Sequence, residues 1–179
     1  MNKNSIKETK KITISAMLVA LGVVIMVLGA VIETLDLTVG AISSLIVVFV
    51  FIEIGKPYHF LVWLCTTLIT ALLFPGSALW VEYFLIFGIY PILKAYIEKL
   101  PTWSWWPVKI LYINAVVAAL AFGMEKLLGI PFFEEEGGLM IAAFWVLLNV
   151  AFVMYDIFLR TLIRVYIVKY RERFSKLLK

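Results

Sequence analysis

The sequence predicts an all-α polytopic membrane protein that crosses the bilayer six times, with both termini in the cytoplasm. Of its 179 residues, 64% are apolar and 16% are charged, and the mean hydropathy is +1.02. Soluble domains are about half apolar and about a quarter charged, so lipid is the expected solvent of most of this chain. The apolar residues form continuous runs without the alternation of a membrane β-strand, which favours helices over a barrel.

Six runs are close to the length of about 17–25 apolar residues that a transmembrane helix needs. They are residues 12–32, 37–54, 58–74, 78–97, 107–124 and 139–162. Turn sequences separate them, such as Gly55-Lys56-Pro57 and Pro75-Gly76-Ser77. The first run follows several lysines, as in a signal peptide, but its length and the span after it predict a retained helix. No polar stretch is long enough for a second domain, so residues 1–179 are predicted to form one domain.

Basic residues set the predicted orientation, because Lys and Arg accumulate beside the cytoplasmic ends of spans. With the N-terminus inside, the only basic residue in an outer loop is Lys126. The inner set is Lys3, Lys7, Lys10, Lys11, Lys56, Lys94, Lys99, Lys109, Arg160, Arg164, Lys169, Arg171, Arg173, Lys176 and Lys179. The outer loops carry acidic residues instead, namely Glu33, Asp36, Glu125, Glu134, Glu135 and Glu136. This asymmetry predicts an even number of spans.

The ends of the spans carry two further membrane signals. Trp103, Trp105 and Trp106 are placed at an inner boundary and Trp80 at an outer one, where amphipathic rings favour the interface. Residues 163–179 are predicted to form a basic amphipathic tail that lies on the anionic cytoplasmic leaflet. The predicted location is therefore the cell membrane, with anionic lipid as one partner.

The sequence contains no enzyme motif, and we predict that the chain is not an enzyme and holds no cofactor or metal. A nucleophile elbow, a zinc-protease motif and a nucleotide-binding loop are all missing from it. The single histidine, His59, has no ligand-spaced partner, and the single cysteine, Cys65, cannot form an intramolecular disulfide. The basic residues flank apolar runs rather than forming a basic patch with interleaved aromatics, which argues against nucleic acid as a partner.

Polar side chains inside spans are the best candidates for function, because an unpaired polar group in hydrocarbon is costly. Tyr90, Asn114 and Asn149 lie about 8–12 residues from the ends of their spans, near the bilayer midplane at a rise of about 1.5 Å per residue. This layer has two interpretations. It forms the floor of a binding cavity, or its amides and hydroxyl only hydrogen-bond across helices to support packing.

The fourth span is predicted to be kinked and rich in aromatic residues. Pro91 removes one helical hydrogen bond and leaves a carbonyl without its usual partner. Glu82, Tyr83 and Phe87 lie on the outer half of this span, which suits a cavity wall. Glu82 is interpreted either as a ligand contact or as an interfacial carboxylate.

Charged residues near the inner boundary are predicted to pair. Asp156 and Arg160 are four positions apart and share a helix face, so they are expected to pair with each other or with Lys94 rather than to relay protons. Glu53 is expected to pair in the same way with Lys56. The outer run Glu134-Glu135-Glu136 defines no coordination geometry and is predicted to be solvated.

The first span carries the small-residue pattern Ala16-x-x-x-Ala20, which lets another helix approach closely. With this pattern in the stretch Ile14-Ser15-Ala16-Met17-Leu18-Val19-Ala20-Leu21-Gly22, and with six spans in about 180 residues, the chain resembles the substrate-binding S components of energy-coupling factor transporters. The resemblance implies a vitamin-type or micronutrient ligand and docking of the first span on a scaffold membrane subunit. Cytoplasmic ATPases in partner subunits would supply the energy.

By this resemblance, the candidate ligand contacts are Trp80, Glu82, Tyr83, Asn114 and Asn149, to which the polar layer and the kinked span add Phe87 and Tyr90. Ala16 and Ala20 are the candidate docking residues. Two alternatives stay open: a membrane scaffold or morphogenesis subunit without a ligand cavity, and a small ion-coupled carrier. The ion-coupled carrier is the weaker alternative, because the sequence has neither two similar halves nor carboxylates deep within its spans.

Overall fold

The computed structural model describes residues 3–32, 35–128 and 137–172, and all the regular structure in these ranges is helical. The predicted acidic residues Glu33 and Glu134–Glu136 lie outside the described residues, and so does the end of the predicted tail, 173–179. The side chains of residues 3–7 and 123–128, Glu125 and Lys126 among them, also lie outside the description. The all-helical prediction is confirmed for the described chain.

Seven α-helices, two π-helical segments and one short 3₁₀ helix follow one another in the described ranges. They are α1 (Lys3–Val31), α2 (Asp36–Glu53), α3 (Tyr58–Leu73), α4 (Leu79–Glu82), a first π segment (Tyr83–Phe87), α5 (Tyr90–Ile97), a 3₁₀ turn (Thr102–Ser104), α6 (Trp105–Leu128), α7 (Gly138–Val165) and a second π segment (Tyr166–Tyr170). The predicted spans therefore correspond to helices, but the last helix runs past its predicted end at residue 162.

Five helical stretches of the described chain are long and apolar enough to cross a membrane: Glu8–Val31, Asp36–Glu53, Leu79–Ile97, Thr102–Phe122 and Gly138–Tyr170. The predicted third span, α3, is also apolar but has 16 residues. At about 1.5 Å per residue it is about 24 Å long, against a hydrocarbon core of about 30 Å. The described chain thus has several apolar helices of spanning length, which is compatible with a membrane protein, while α3 is shorter than the other candidates.

The chain divides into two compact units. Unit 1 comprises residues 1–95 and 165–179, and unit 2 comprises residues 96–164. In unit 1, α1 packs on α2 and α3, α2 packs on α3 and the first π segment, and α4 contacts all three long helices. In unit 2, α6 and α7 are joined by polar side-chain contacts that are described below.

The fourth predicted span is interrupted by the first π segment rather than by a simple proline kink. The Gly88 amide donates to the Tyr83 carbonyl across 2.7 Å, a bond to the fifth preceding residue. The segment ends at Phe87, four residues before Pro91, and π segments are found where the helical ladder is disturbed. The Phe84 carbonyl accepts a hydrogen bond from the Trp63 indole at 3.1 Å, and the two rings stack 4.9 Å apart.

Glycines allow the first π segment to approach α2 closely. A Cβ on Gly40 would lie 2.5 Å from the Cδ2 atom of the Phe87 ring, which is closer than real Cβ atoms come. On α1, a Cβ on Gly29 would lie 2.7 Å from a methyl carbon of Val39. These close contacts between the helices of unit 1 therefore require glycine at positions 40 and 29.

The end of the last helix packs on α2 within unit 1. The Tyr166 hydroxyl donates to Glu53 at 3.1 Å, and the Arg171 guanidinium lies 3.7 Å from the same carboxylate oxygen. The rings of Tyr166 and Phe49 meet edge to face, 5.8 Å apart. Glu53 was expected to pair with Lys56, which is near in sequence. That pairing stays a prediction, and the structure adds Tyr166 and Arg171, which the helix brings to the carboxylate because it continues past residue 162.

We predict that Gly40→Ala destabilises the protein, because the new methyl group must displace the Phe87 ring or separate α2 from the π segment. Overpacking of this kind costs about 1–3 kcal/mol. The matched control is Gly76→Ala, since nothing lies within 4 Å of a Cβ at Gly76. Thermal unfolding of both variants in detergent measures the effect. Equal melting temperatures for the two variants would contradict the described packing.

Candidate functional site

A half-open pocket with a volume of about 500 Å³, called the cavity below, lies where α1, α3 and the start of α2 come together in unit 1. Its lining residues are Ala30, Asp36, Leu73, Phe74, Pro75, Gly76, Ser77 and Ala78. Ser77 accepts a hydrogen bond from the Leu79 amide at 3.2 Å, so the start of α4 is tied to the turn that borders the cavity. The Trp80 indole donates to the Pro75 carbonyl at 3.3 Å and holds the same turn. The volume is within the range of about 300–1,000 Å³ found for small-molecule sites.

Carboxylates give this end of unit 1 a negative character. Asp36 lines the cavity, and the Glu82 carboxyl is close enough to Asp36 for their charges to interact. Glu82 is partly buried, and its Oε2 atom is buried without a hydrogen-bond partner. Of the predicted ligand contacts, Trp80 and Glu82 are therefore associated with this end of unit 1.

The other predicted contacts on the fourth span are in the interior of unit 1. Tyr83 and Tyr90 have no exposed surface, and Phe87 is 7% exposed. Phe87 packs against Gly40, and the Tyr83 hydroxyl lies close to the hydroxyls of Ser43 and Thr66. These three side chains do not line the cavity described above.

Asn114 and Asn149 form a reciprocal pair within unit 2. The Asn114 amide donates to the Asn149 Oδ1 atom at 2.9 Å, and the Asn149 amide donates back at 3.3 Å. Each amide also donates to the carbonyl four residues earlier in its own helix, at 2.7 Å and 2.8 Å. Both N–H groups of each side chain are thus used within the protein. This geometry corresponds to the packing interpretation of the polar layer, and a ligand role for the two amides stays a prediction.

A buried charge cluster in unit 2 was not identified as such from the sequence. The Lys109 ammonium lies 2.8 Å from Glu98 Oε1 and 2.9 and 3.1 Å from the two carboxylate oxygens of Asp156. Neither Lys109 nor Asp156 has exposed side-chain surface. Arg160 is 3.7 Å from Asp156 and 3.6 Å from Glu98. Two cations and two carboxylates thus meet in this cluster.

Tryptophan rings surround the cations of this cluster. The Lys109 ammonium is 5.5 Å from the centroid of the Trp106 ring and 6.0 Å from that of Trp105. The Arg160 guanidinium is 6.0 Å from the Trp105 ring. The expected pairing of Asp156 with Arg160 is confirmed, but its closest contact, Lys109, was missed. The sequence did contain a signal for this contact, because Lys109 lies two residues inside a predicted span. We used this lysine only to assign the orientation of the chain.

The candidate docking residues and the single histidine have simple environments. Ala16 and Ala20 are both exposed on α1, whereas Gly22 faces inward, and a Cβ there would lie 3.2 Å from the Thr66 hydroxyl oxygen. His59 is fully buried between Phe51 and Phe60, with its Nδ1 atom 3.1 Å from the Gly55 carbonyl. No cluster of three metal-ligating side chains occurs within the described residues.

Comparison with known proteins gives no relative: no family model matches the chain, and no curated protein or solved structure matches it.

We predict that Lys109→Met strongly destabilises the protein, because it leaves the Asp156 carboxylate buried beside Glu98 without its closest cation. Removing one partner of a buried ion pair costs about 3–5 kcal/mol. Lys99→Met is the control, since Lys99 is an exposed lysine from the same part of unit 2. The double variant Lys109→Met/Asp156→Leu should regain much of the lost stability in a thermal unfolding assay. A double variant as unstable as both single changes added together would show that the two charges do not interact.

Proposed function

We propose that this chain is a six-span protein of the cell membrane with both termini in the cytoplasm, and that it is the substrate-binding subunit of a vitamin-type or micronutrient importer. In this proposal, a scaffold membrane subunit and cytoplasmic ATPases are its partners. The chain itself performs no catalysis. The observation that carries the solute-binding part is the cavity of about 500 Å³ bordered by Asp36 and by the turn that Trp80 holds.

The six-span topology is supported by the distribution of charge and by the apolar character of α3. Fifteen of the 16 basic residues fall on one side when six spans are assumed. With five spans, the basic residues before and after α3 would no longer separate from the acidic outer loops. A helix of 16 residues is accommodated by local thinning of the bilayer or by adjustment of its flanking residues at modest cost.

We predict that Lys56 and Gly76, at the two ends of α3, lie on opposite sides of the membrane. Both residues are exposed. Single-cysteine variants Lys56→Cys and Gly76→Cys in a Cys65→Ser background report the side through labelling of intact cells by a membrane-impermeant maleimide. Gly76→Cys should react from outside, whereas Lys56→Cys should react only after the membrane is permeabilised. Labelling of both from the same side would show that α3 does not cross.

The position of the cavity fits uptake from outside. With the N-terminus in the cytoplasm, α1 ends at the outer surface, and Ala30 in its last turn lines the cavity. Asp36 at the start of α2 and the turn after α3 are then outer as well. A solute would enter there, near the candidate contacts Trp80 and Glu82. A ligand role for Tyr83, Phe87, Tyr90, Asn114 and Asn149 is a separate proposal, since none of them lines the cavity.

The exposed face of α1 supports docking on another membrane helix. Ala16 and Ala20 are exposed, one turn apart on this face, so a partner backbone can approach closely there. The inward-facing glycines Gly22 and Gly29 are used for packing inside unit 1. Docking and internal packing thus use different faces of the same helix. The basic C-terminal residues are proposed to contact anionic lipid of the cytoplasmic leaflet.

We expect a small molecule to co-purify with the wild-type protein and to be detected by mass spectrometry after denaturation. Trp80→Ala should reduce its recovery at least tenfold, because the indole that holds the cavity turn is lost. Trp103→Ala is the matched control, since Trp103 is 79% exposed and is not at the cavity. Equal recovery from both variants, or no bound molecule in the wild type, would remove the solute-binding proposal.

The partner arm of the same experiment is affinity capture of an ATPase-bearing membrane complex. Ala16→Leu and Ala20→Leu should abolish capture, because the larger side chains keep the partner helix away. Met17→Leu is the control, since Met17 is 68% exposed and the change conserves volume. Capture that is unaffected by both alanine substitutions would overturn the docking proposal.

The alternative proposal is a non-transport scaffold or morphogenesis subunit. The Asn114–Asn149 pair supports it, because both amides are satisfied inside unit 2 as expected for polar residues that only fix packing. The co-purification experiment separates the two proposals, since a scaffold needs no bound solute.

A further inference from the structure

Acidic residues lie at both of the helix starts that border the cavity of unit 1. Asp36 lines the cavity and lies in the first turn of α2. Glu82 lies in the first turn of α4, and its amide donates at 3.1 Å to the carbonyl of Ala78, which also lines the cavity. The charges of the two carboxylates are close enough to interact. Two negative charges thus belong to this end of unit 1.

Two helix ends add negative partial charge at the same place. α1 ends at Val31 and α3 ends at Leu73, and both Ala30 and Leu73 line the cavity. The C-terminal end of a helix carries a partial negative charge, because its last carbonyls have no partner within the helix. The starts of α2 and of the helical stretch Leu79–Ile97 carry the opposite partial charge, but each has a full carboxylate in its first turn. The net field at the cavity is therefore negative.

Basic side chains are missing from the segments that border the cavity. The sequence has no lysine or arginine between residues 12 and 55 or between residues 57 and 93. These stretches include the end of α1, the start of α2, the end of α3 and all of α4. A carboxylate or phosphate group on a solute would therefore meet charges of its own sign and no cation from these segments. Binding of such a group is unfavourable, because like charges repel.

We propose that the solute bound in the cavity carries a positively charged nitrogen, such as an ammonium group or a protonated ring nitrogen, which pairs with Asp36 and Glu82. This inference rests on the solute-binding function proposed above and adds the charge of the solute. Hydrogen bonds between a cationic N–H group and a carboxylate are stronger than neutral ones. Apart from Asp36 and Ser77, the lining residues are apolar or glycine, so the rest of the solute is expected to be uncharged.

The first test identifies the molecule that co-purifies with the wild-type protein, by exact mass and fragmentation after denaturation. A molecule with a basic or permanently charged nitrogen supports the inference. An anionic molecule, or one without such a nitrogen, overturns the inference and leaves the solute-binding proposal standing. The absence of any bound molecule overturns both.

The second test removes the carboxylates one at a time. Asp36→Asn and Glu82→Gln should each lower the recovery of the co-purified molecule by about tenfold or more, since each loses a hydrogen bond to a charged group. Asp36→Glu keeps the charge and should retain most of the recovery. Glu172→Gln is the control, because Glu172 is exposed and follows Arg171, which contacts Glu53 at the other end of α2.

Thermal unfolding of the same variants distinguishes solute binding from a purely structural role. Acidic residues in a first helical turn also stabilise their own helix. If Asp36 and Glu82 do only this, Asp36→Asn and Glu82→Gln melt at a lower temperature but recover the molecule as the wild type does. That result would overturn the inference.

The third test compares two probes of nearly equal size and opposite charge. Phenethylamine is a cation at neutral pH, whereas phenylacetate is an anion. Immobilised wild-type protein with its co-purified molecule is washed with either probe at the same millimolar concentration. Phenethylamine should release more of the molecule, because it competes for the two carboxylates. Equal release by the two probes, or greater release by phenylacetate, would contradict a cation-selective cavity.

Discussion

The ammonium of Lys109 is held without exposed surface between the carboxylates of Asp156 and Glu98, and this contact imposes the main constraint on unit 2. A buried cation is stable only with an opposite charge beside it, so the residue that follows α5, the start of α6 and the part of α7 around Asp156 must stay together. Arg160 and two tryptophan rings complete the surroundings of the charges. The same requirement, that polar groups find partners inside the protein, explains the asparagine pair and the hydroxyls of Ser44 and Thr67, which donate to carbonyls of their own helices.

Much of the fold follows from local hydropathy, which explains why it could be predicted. A run of about 20 apolar residues is a property of neighbouring positions, and each predicted span corresponds to a helix in the described chain. The ends were less predictable. The last helix continues to residue 172 although its sequence becomes basic after residue 162. Lys and Arg are good helix formers, so a basic sequence does not by itself end a helix. The π segment was not predicted either. Pro91 indicates that the helical hydrogen bonds are interrupted, but it does not indicate that a π segment results.

Partners across helices were harder to predict than the residues themselves. Asp156 was singled out correctly, but its closest contact is 47 positions away in sequence. Arg160 was found because it lies one turn away on the same helix. Glu53 shows the same limitation: its contacts with Tyr166 and Arg171 join residues more than 110 positions apart in sequence and were not predicted. Trp80 and Glu82 were singled out with Tyr83 and Phe87, and nothing in the spacing shows that the first two are at the cavity end while the others face inward.

The two polar contacts between α6 and α7 have a mechanical consequence. Lys109 meets Asp156 and Asn114 meets Asn149, so the helices run antiparallel and are fixed at two levels. Sliding one helix along the other by a single turn would break both contacts at once and leave a charge and two amides facing lipid. α6 and α7 are therefore expected to move together as one rigid body. Any conformational change in unit 2 is therefore expected to leave α6 and α7 in the same register rather than to slide one along the other.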